Sequence, residues 1–404
     1  MISKLFCCAP PKVAPKKTAP ATPSDEPAPT NLGNPPKPES QVKTPPKSKW
    51  DEIGCSSLKA ALEDTVMLDA AWLADLAEKK GILPRCQDVP DSAKVSLAEM
   101  EAWDKDEFTV GALIISYPWL DKNHPDPFGE QLQQLAFILK AFADEARKYP
   151  GCRVGVFWDY CSLPQKDLKG NDDRTAELIA RFKRALKGIN AWYGHPKTQV
   201  VLVKTPLPTG YEYTNKQRYA GRGWCYAENL MSCIVKDDFA LLDTSQLQGT
   251  EIDVDGLRKN GKANRPAPMA PDVFRASLKS GVDKGDIKFT NRGDIEVVAS
   301  IYERAFLDET TSATALYYTG LGWGDEHIKT LATAFTFAHS KGALPQLKEL
   351  YLGGNQIGDV GMQALAGAVS KGALASLKEL VVPSGCEKNP QLKEACSQRG
   401  IKLI

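Results

Sequence analysis

Histidine is scarce in this chain, with four residues in 404, all well apart. A zinc centre draws its ligands from His and Cys at short spacings, and the ten cysteines form no Cys-x-x-Cys pair. The composition therefore argues against a metal site, and single scattered thiols point to a reducing, cytoplasmic compartment. No apolar run approaches the roughly 20 residues of a membrane-spanning helix. A dominant charge is missing too: the net charge is +1, so no global field attracts nucleic acid. Phosphate-cradling signatures are absent, both the Walker A pattern and a Gly-x-Gly-x-x-Gly after a strand. So is the Gly-x-Ser-x-Gly nucleophile elbow. These absences set aside ATPases, kinases, dehydrogenases and serine hydrolases.

The first 49 residues are mostly Pro, Ala, Lys, Thr and Ser. Such a segment buries too little surface to offset its ordering entropy and reads as a disordered tether. Met1 to Cys8 does not read as a signal peptide. Cys7 and Cys8, beside Leu5, Phe6 and lysine, would suit S-acylation and weak membrane attachment, whereas Ile2 excludes N-myristoylation. Order is expected from about Trp50. Leu58, Leu62, Met67, Leu68, Trp72, Leu73 and Leu76 recur at helical spacing, predicting one helix over 57–80 closed by Gly81 at C′. With a short helix near 97–103, residues 50–108 read as a helical preface.

From 109 the pattern alternates. Ala112–Ser116, Val154–Trp158, Gln199–Val203 and Phe239–Leu242 are apolar runs of the kind buried in parallel sheets. Helical spacings over 131–149 and 175–192, and a helix opening near Trp224, fall between them. Strand and helix in turn predict a doubly wound parallel sheet over 109–242, with ligands bound beyond its carboxyl edge. Residues 243–293 are weakly patterned and read as a connector, with a helix from about Asp294. The last hundred residues repeat: Lys341-Gly342-Ala343-Leu344-Pro345-Gln346-Leu347-Lys348-Glu349-Leu350 returns as Lys371-Gly372-Ala373-Leu374-Ala375-Ser376-Leu377-Lys378-Glu379-Leu380. The intervening Leu350-Tyr351-Leu352-Gly353-Gly354-Asn355 resembles ribonuclease-inhibitor-type leucine-rich repeats, one strand and one helix per unit. Such a domain over 294–404 implies a protein partner.

The segment Gly223-Trp224-Cys225-Tyr226-Ala227-Glu228 is the most informative motif. On a helix, Trp224 and Glu228 share a face, and a carboxylate desolvated beside a large aromatic suits catalysis. The structural alternative is a Trp anchor with Glu228 favouring the helix N-terminus. Together with Ser116-Tyr117 at the end of the first strand and Phe157-Trp158-Asp159 at the second, the region resembles Toll/interleukin-1-receptor (TIR) domains and the related heterokaryon-incompatibility-like domains. That resemblance implies a flavodoxin-like fold, self-association, and a signalling or defence role. It also places on Glu228 the carboxylate with which some TIR domains cleave NAD, so that NAD would be a substrate and no cofactor is implied. Pro118-Trp119, His124-Pro125-Asp126-Pro127 and Leu163-Pro164-Gln165 depart from the TIR pattern toward the heterokaryon-incompatibility style.

Around such a site Tyr117, Trp119, His124, Asp126, Asp159, Ser162, Gln165, Arg222 and Trp224 are the candidate ligand contacts. Each has a structural alternative. Asp159 would also cap the Cys161-Ser162 turn. His124 and Asp126 would also hold a Pro-bounded turn. The Tyr- and Lys/Arg-rich loop 204–223 would stack on and pair with a nucleotide, or be a solvated loop. Two functions remain open: an NAD glycohydrolase using Glu228, and a non-catalytic interaction scaffold.

Overall fold

The computed structural model of the chain describes residues 47–404. The expected tether and Cys7 and Cys8 lie almost wholly outside the described residues. The chain is mixed α/β with two mainly parallel sheets.

The segment expected as a helical preface opens with α1 (Lys49–Glu52), which Ser48 and Asp51 close in a capping box, and α2 (Ser56–Leu62). The single helix expected over 57–80 is instead broken. Between α2 and α3 (Ala70–Glu78) the chain extends into β1 (Leu68–Asp69), which pairs antiparallel with Val156 and Gly155. The apolar spacing continues across the break, but Leu68 is fully buried as a sheet edge, not as part of a helix face. At the end of α3 the left-handed residue is Lys80 (φ 53°), not Gly81. Gly81 N–H bonds Leu76 O at 2.8 Å, so Gly81 sits one place later in a Schellman close. A Cβ on Gly81 would fall 2.2 Å from the Leu76 side chain, which explains the glycine by close approach. A short α4 (Leu97–Glu101) follows.

The first sheet then assembles from β2 (Ala112–Ser116), β3 (Gly155–Phe157), β4 (Gln199–Leu202) and β5 (Leu241–Asp243), in the order β1-β3-β2-β4-β5. All neighbours except β1 are parallel. The crossovers are α5 (Glu130–Ala146), α7 (Ala176–Gly194) and α8 (Gly223–Ser232), with a single turn α6 (Asp159–Ser162) after β3. Alternation sorts the strands onto two cores. Leu113, Ile115, Val156 and Val201 pack under α3 and α5. Ala112, Ile114, Phe157 and Val200 pack under α2, α7 and α8. Both faces are covered, which is why these strands read as continuous apolar runs.

The stretch read as a connector is folded. It carries α9 (Val254–Asn260) and α10 (Pro271–Lys284), with Val254, Leu257, Phe274 and Leu278 buried. Between them Arg265, 1 % exposed, donates to the Lys236 and Tyr317 carbonyls and pairs with Asp238 at 2.6 Å. Two of its three nitrogens find oxygen partners while Nε is buried without one among the described residues, so the Asp238 charge and the two carbonyls offset most of the burial cost, and here it ties the end of the first sheet to the start of the second.

The C-terminal region follows α11 (Asp294–Ser312). Strands β6 (Ala315–Tyr317), β7 (Glu349–Tyr351), β8 (Glu379–Val381) and β9 (Lys402–Leu403) form a parallel sheet in chain order, backed by α12 (Asp325–Ser340), α13 (Asp359–Ser370) and α14 (Pro390–Arg399). Leu316, Leu350 and Leu380 stand in register and are buried. Leu352 is buried as well, because the chain bends after β7. Asn355 spends its whole side chain on turns. Its Oδ1 accepts from Leu321 and Trp323 amides at 2.9 and 3.1 Å, and its Nδ2 donates to Tyr318 and Leu352 carbonyls. Asp325 accepts from the Gly358 and Gly361 amides of the next unit. Leu344 and Leu374, equivalent in the two units, both hold φ near +60°, a strained conformation sustained by burial. One apolar cluster runs without a break from α2 and α7 through α10 and α11 into the repeats.

Candidate functional site

Strand order reverses at β2: the chain leaves toward β3, then returns to the other side at β4. Loops from neighbouring strands therefore diverge at one edge, and a crevice opens beyond the strands' carboxyl ends. A cleft of about 510 Å³ occupies this position. Tyr117, Trp119 and Asn123 enter it after β2, Asp159, Leu163 and Gln165 after β3, and Thr214, Asn215 and Gln217 after β4. Phe182, Leu186, Ile189 and Tyr193 of α7 supply an apolar wall.

Glu228 reaches the cleft from the second turn of α8. It is 8 % exposed and forms no ion pair with an arginine or lysine among the described residues. Its Oε2 accepts from Ser116 Oγ, the last residue of β2, at 2.5 Å. Ser116 Oγ lies 2.6 Å from the Tyr219 hydroxyl. When Glu228 is ionised, the one Ser116 proton goes to the carboxylate, so Tyr219 must be the donor to Ser116. Burial pushes the Glu228 pKa up to about 8; the Ser116 bond opposes the rise and the charge of Asp159 adds to it.

Asp159 shares the cleft. It accepts from Tyr117 OH at 2.7 Å, Trp119 Nε1 at 3.0 Å and the Tyr160 amide at 2.6 Å. Burial raises its pKa, against these three bonds that hold the ionised form. Thus Asp159 takes both readings at once: it closes its own turn and orients two aromatic residues of the wall. Arg222 is buried and spends its guanidinium on carbonyls of Gln217, Trp119 and Asn215. With no carboxylate beside it, burial lowers its pKa to about 10. It staples the loop after β4 to the loop after β2. Trp224, half-buried, donates Nε1 to Asp294 at 3.2 Å.

Tyr117, Trp119, Asp159, Gln165, Arg222, Trp224 and Glu228 are thus brought together. His124, Asp126 and Ser162 are not. His124 Nε2 bonds Leu83 O and its Nδ1 accepts the Asp126 amide. Asp126 accepts the Leu132 amide in the first turn of α5. Ser162 Oγ accepts the Trp158 amide. All three are buried and bond to turns, although Asp126 Oδ1 is left without a partner among the described residues. The sequence reading missed Ser116 as the partner of Glu228 and Tyr219 behind it, the apolar wall from α7, and the wall made by Lys288, Phe289, Thr290 and Asp294. The α7 residues carry the helical spacing of a core face, and nothing local separates a cleft face from a core face.

Among the described residues no group of His, Cys, Asp and Glu could hold a metal ion. No family, curated protein or solved structure matches the chain significantly.

Proposed function

We propose that the first sheet is a TIR-like, flavodoxin-like domain that cleaves the N-glycosidic bond of NAD, and that the second is a short leucine-rich-repeat domain for a protein partner. The observation that carries the reading is Glu228, buried, without a counter-cation among the described residues, and lining a cleft at the strand-order switch. A purely structural Glu228 would be paired to an Arg or closed off from any cavity.

The chemistry follows from the charges. Nicotinamide leaves from a cationic N-glycoside, so the breaking C1′–N bond returns its electron pair to a ring that becomes neutral, and no acid is needed. Positive charge grows on the ribose as an oxocarbenium-like centre. The ionised Glu228 carboxylate stabilises it, then accepts a proton from the water that adds to C1′. Tyr219 and Ser116 hold the carboxylate at a fixed angle. Asp159 keeps Tyr117 and Trp119 in place as cleft walls.

In this reading the protein acts in intracellular signalling or defence, and the TIR-like domain also self-associates. The half-exposed strand face of the repeats, with Tyr317 stacked on Tyr351 at 5.0 Å, offers the partner an aromatic platform. Acylation of Cys7 and Cys8 would attach it weakly to membrane; changing both to Ser would then shift it to the soluble fraction. The central test is direct. Purified protein incubated with NAD releases free nicotinamide, and Glu228→Gln stops the release. Wild-type protein that leaves NAD intact overturns the catalytic reading, and the non-catalytic scaffold takes its place.

A further inference from the structure

One wall of the cleft comes from outside the first sheet and its crossovers. Residues 286–290 run from the end of α10 toward α11 and lie against the start of α8. Gly223 N–H donates to Lys288 O at 3.0 Å, and Lys288 N–H donates to Gly221 O at 2.8 Å. Two backbone bonds in opposite directions hold the strand-like bridge of Arg222 and Lys288. The tip of the Phe289 ring occupies the space a Cβ on Gly223 would need, 2.0 Å away. That is why the residue before Trp224 is glycine. Asp294, at the first turn of α11, accepts the Trp224 indole N–H. The segment is therefore built onto the site.

Two of its side chains, Lys288 and Phe289, line the cleft. Phe289 is half-buried, lines the cleft, and stacks on no other aromatic ring among the described residues. The Tyr226–Phe274–Tyr302 stack nearby shows the contrasting case of rings satisfied by one another. Lys288 is exposed and enters no ion pair among the described residues, whereas nearby Lys279 and Arg292 both pair. Lys122, equally exposed, lines the cleft from the loop after β2. An aromatic ring that lines the cleft and stacks on no other ring, flanked by two lysines outside any ion pair among the described residues, fits a planar base carrying phosphate.

We infer that the 286–294 segment is the recognition wall of the cleft, with Phe289 as the stacking face for a planar base and Lys288 as the counter-charge for its phosphates. This rests on the cleft being a nucleotide site, as proposed above, but not on its chemistry. The glycosidic step belongs to Glu228; the wall sets which nucleotide binds and where. A nucleoside without phosphate would use Phe289 alone.

Binding and cleavage separate the two claims. ADP-ribose and the corresponding unphosphorylated adenosine are titrated by calorimetry against wild type, Phe289→Leu, Phe289→Tyr and Lys288→Ala, each checked for an unchanged melting temperature. Phe289→Leu should weaken both probes about tenfold, and Phe289→Tyr should restore them. Lys288→Ala should weaken ADP-ribose about fivefold, flatten its salt dependence, and leave adenosine unchanged. In NAD cleavage these variants should raise KM at nearly constant kcat. Wild-type affinity for ADP-ribose in both Phe289→Leu and Lys288→Ala overturns the wall, as does absence of ADP-ribose binding to wild type. ADP-ribose binding that depends on Phe289 and Lys288 without NAD cleavage leaves the wall standing and removes the catalytic reading.

Discussion

The two sheets use the same units, strand and helix in alternation, and do opposite things with their polar residues. In the repeat sheet each turn is sealed from within. Asn355 satisfies two amides and two carbonyls, Asp325 holds the next unit's helix start, and Asn389 donates to Asp359 at 2.9 Å in the unit after. At the carboxyl edge of the first sheet, charged groups gather without an ion pair among the described residues: Glu228 and Lys288 line the same cleft, beside the Phe289 ring. The strands differ in the same sense. β2 is buried along its full length, whereas β7 buries only Leu350 and leaves Glu349 and Tyr351 half-exposed. A sheet covered on both faces has only its edge to offer a ligand; a sheet covered on one face offers that face.

The largest effect that can break this contrast is expected at Leu350. Leu350→Asp puts an unpaired charge where the residue is fully buried and should cost more than about 4 kcal/mol. Because one apolar cluster spans both regions, thermal unfolding of the wild type should be a single transition, and this variant should lower it as a whole. Two independent transitions would show that the sheets are separable after all.

Next comes Glu228. Glu228→Gln should lower kcat for nicotinamide release by about 10³-fold without loss of fold. A matching loss on Asn355→Ala, far from the cleft, would mean the activity merely reports global stability. Asn355→Ala itself should cost roughly 2–3 kcal/mol, since it strands buried amides and carbonyls in two adjacent turns; an unchanged denaturation midpoint would deny the internal seal.

The most gradual effects lie in pH. The folded-state pKa of Glu228 is raised to about 8, so the native state holds a proton that the unfolded chain has released. Between the ordinary carboxylate range and about pH 8, stability should therefore fall as pH rises, by at most about 1.4 kcal/mol per unit from this group. Glu228→Gln should remove that slope and raise the melting temperature at pH 8. If the ionised form acts, kcat/KM for NAD should rise with pH through about 8. A rate that falls there would assign Glu228 to acid catalysis instead.

Local reading succeeded where the signal is local. The span of β2 matches Ala112–Ser116 residue for residue, α7 begins at Ala176, next to the expected start at 175, and the internal repeat foretells buried Leu350 and Leu352. It failed at 57–80, where helical spacing runs on through a strand that exists only because Gly155 and Val156, some 87 residues later, pair with it. It failed at 243–293, where the apolar residues Val254, Leu257, Phe274 and Leu278 are spread thinly among polar ones and a buried arginine adds to the anchorage, since polarity reads as exposure unless its partners are known. In the site, Glu228, Asp159 and Trp224 were legible from motif position. His124, Asp126 and Ser162 were not separable from them, since a turn-forming polar residue and a cleft-lining one have the same composition.

Taken by itself, the amino-acid order determined the alternation of strand and helix, the repeat, and the helix that carries Glu228, because periodicity and capping act over a few residues. Tertiary structure alone decided which polar atoms are spent and which are left free. It set Ser116 and Tyr219 behind Glu228, turned one face of α7 toward a cleft, and brought Lys288 and Phe289 beside residues some 65 positions earlier. The physical reason is that satisfaction of a polar group depends on partners brought by chain reversal, and no window of neighbours contains them.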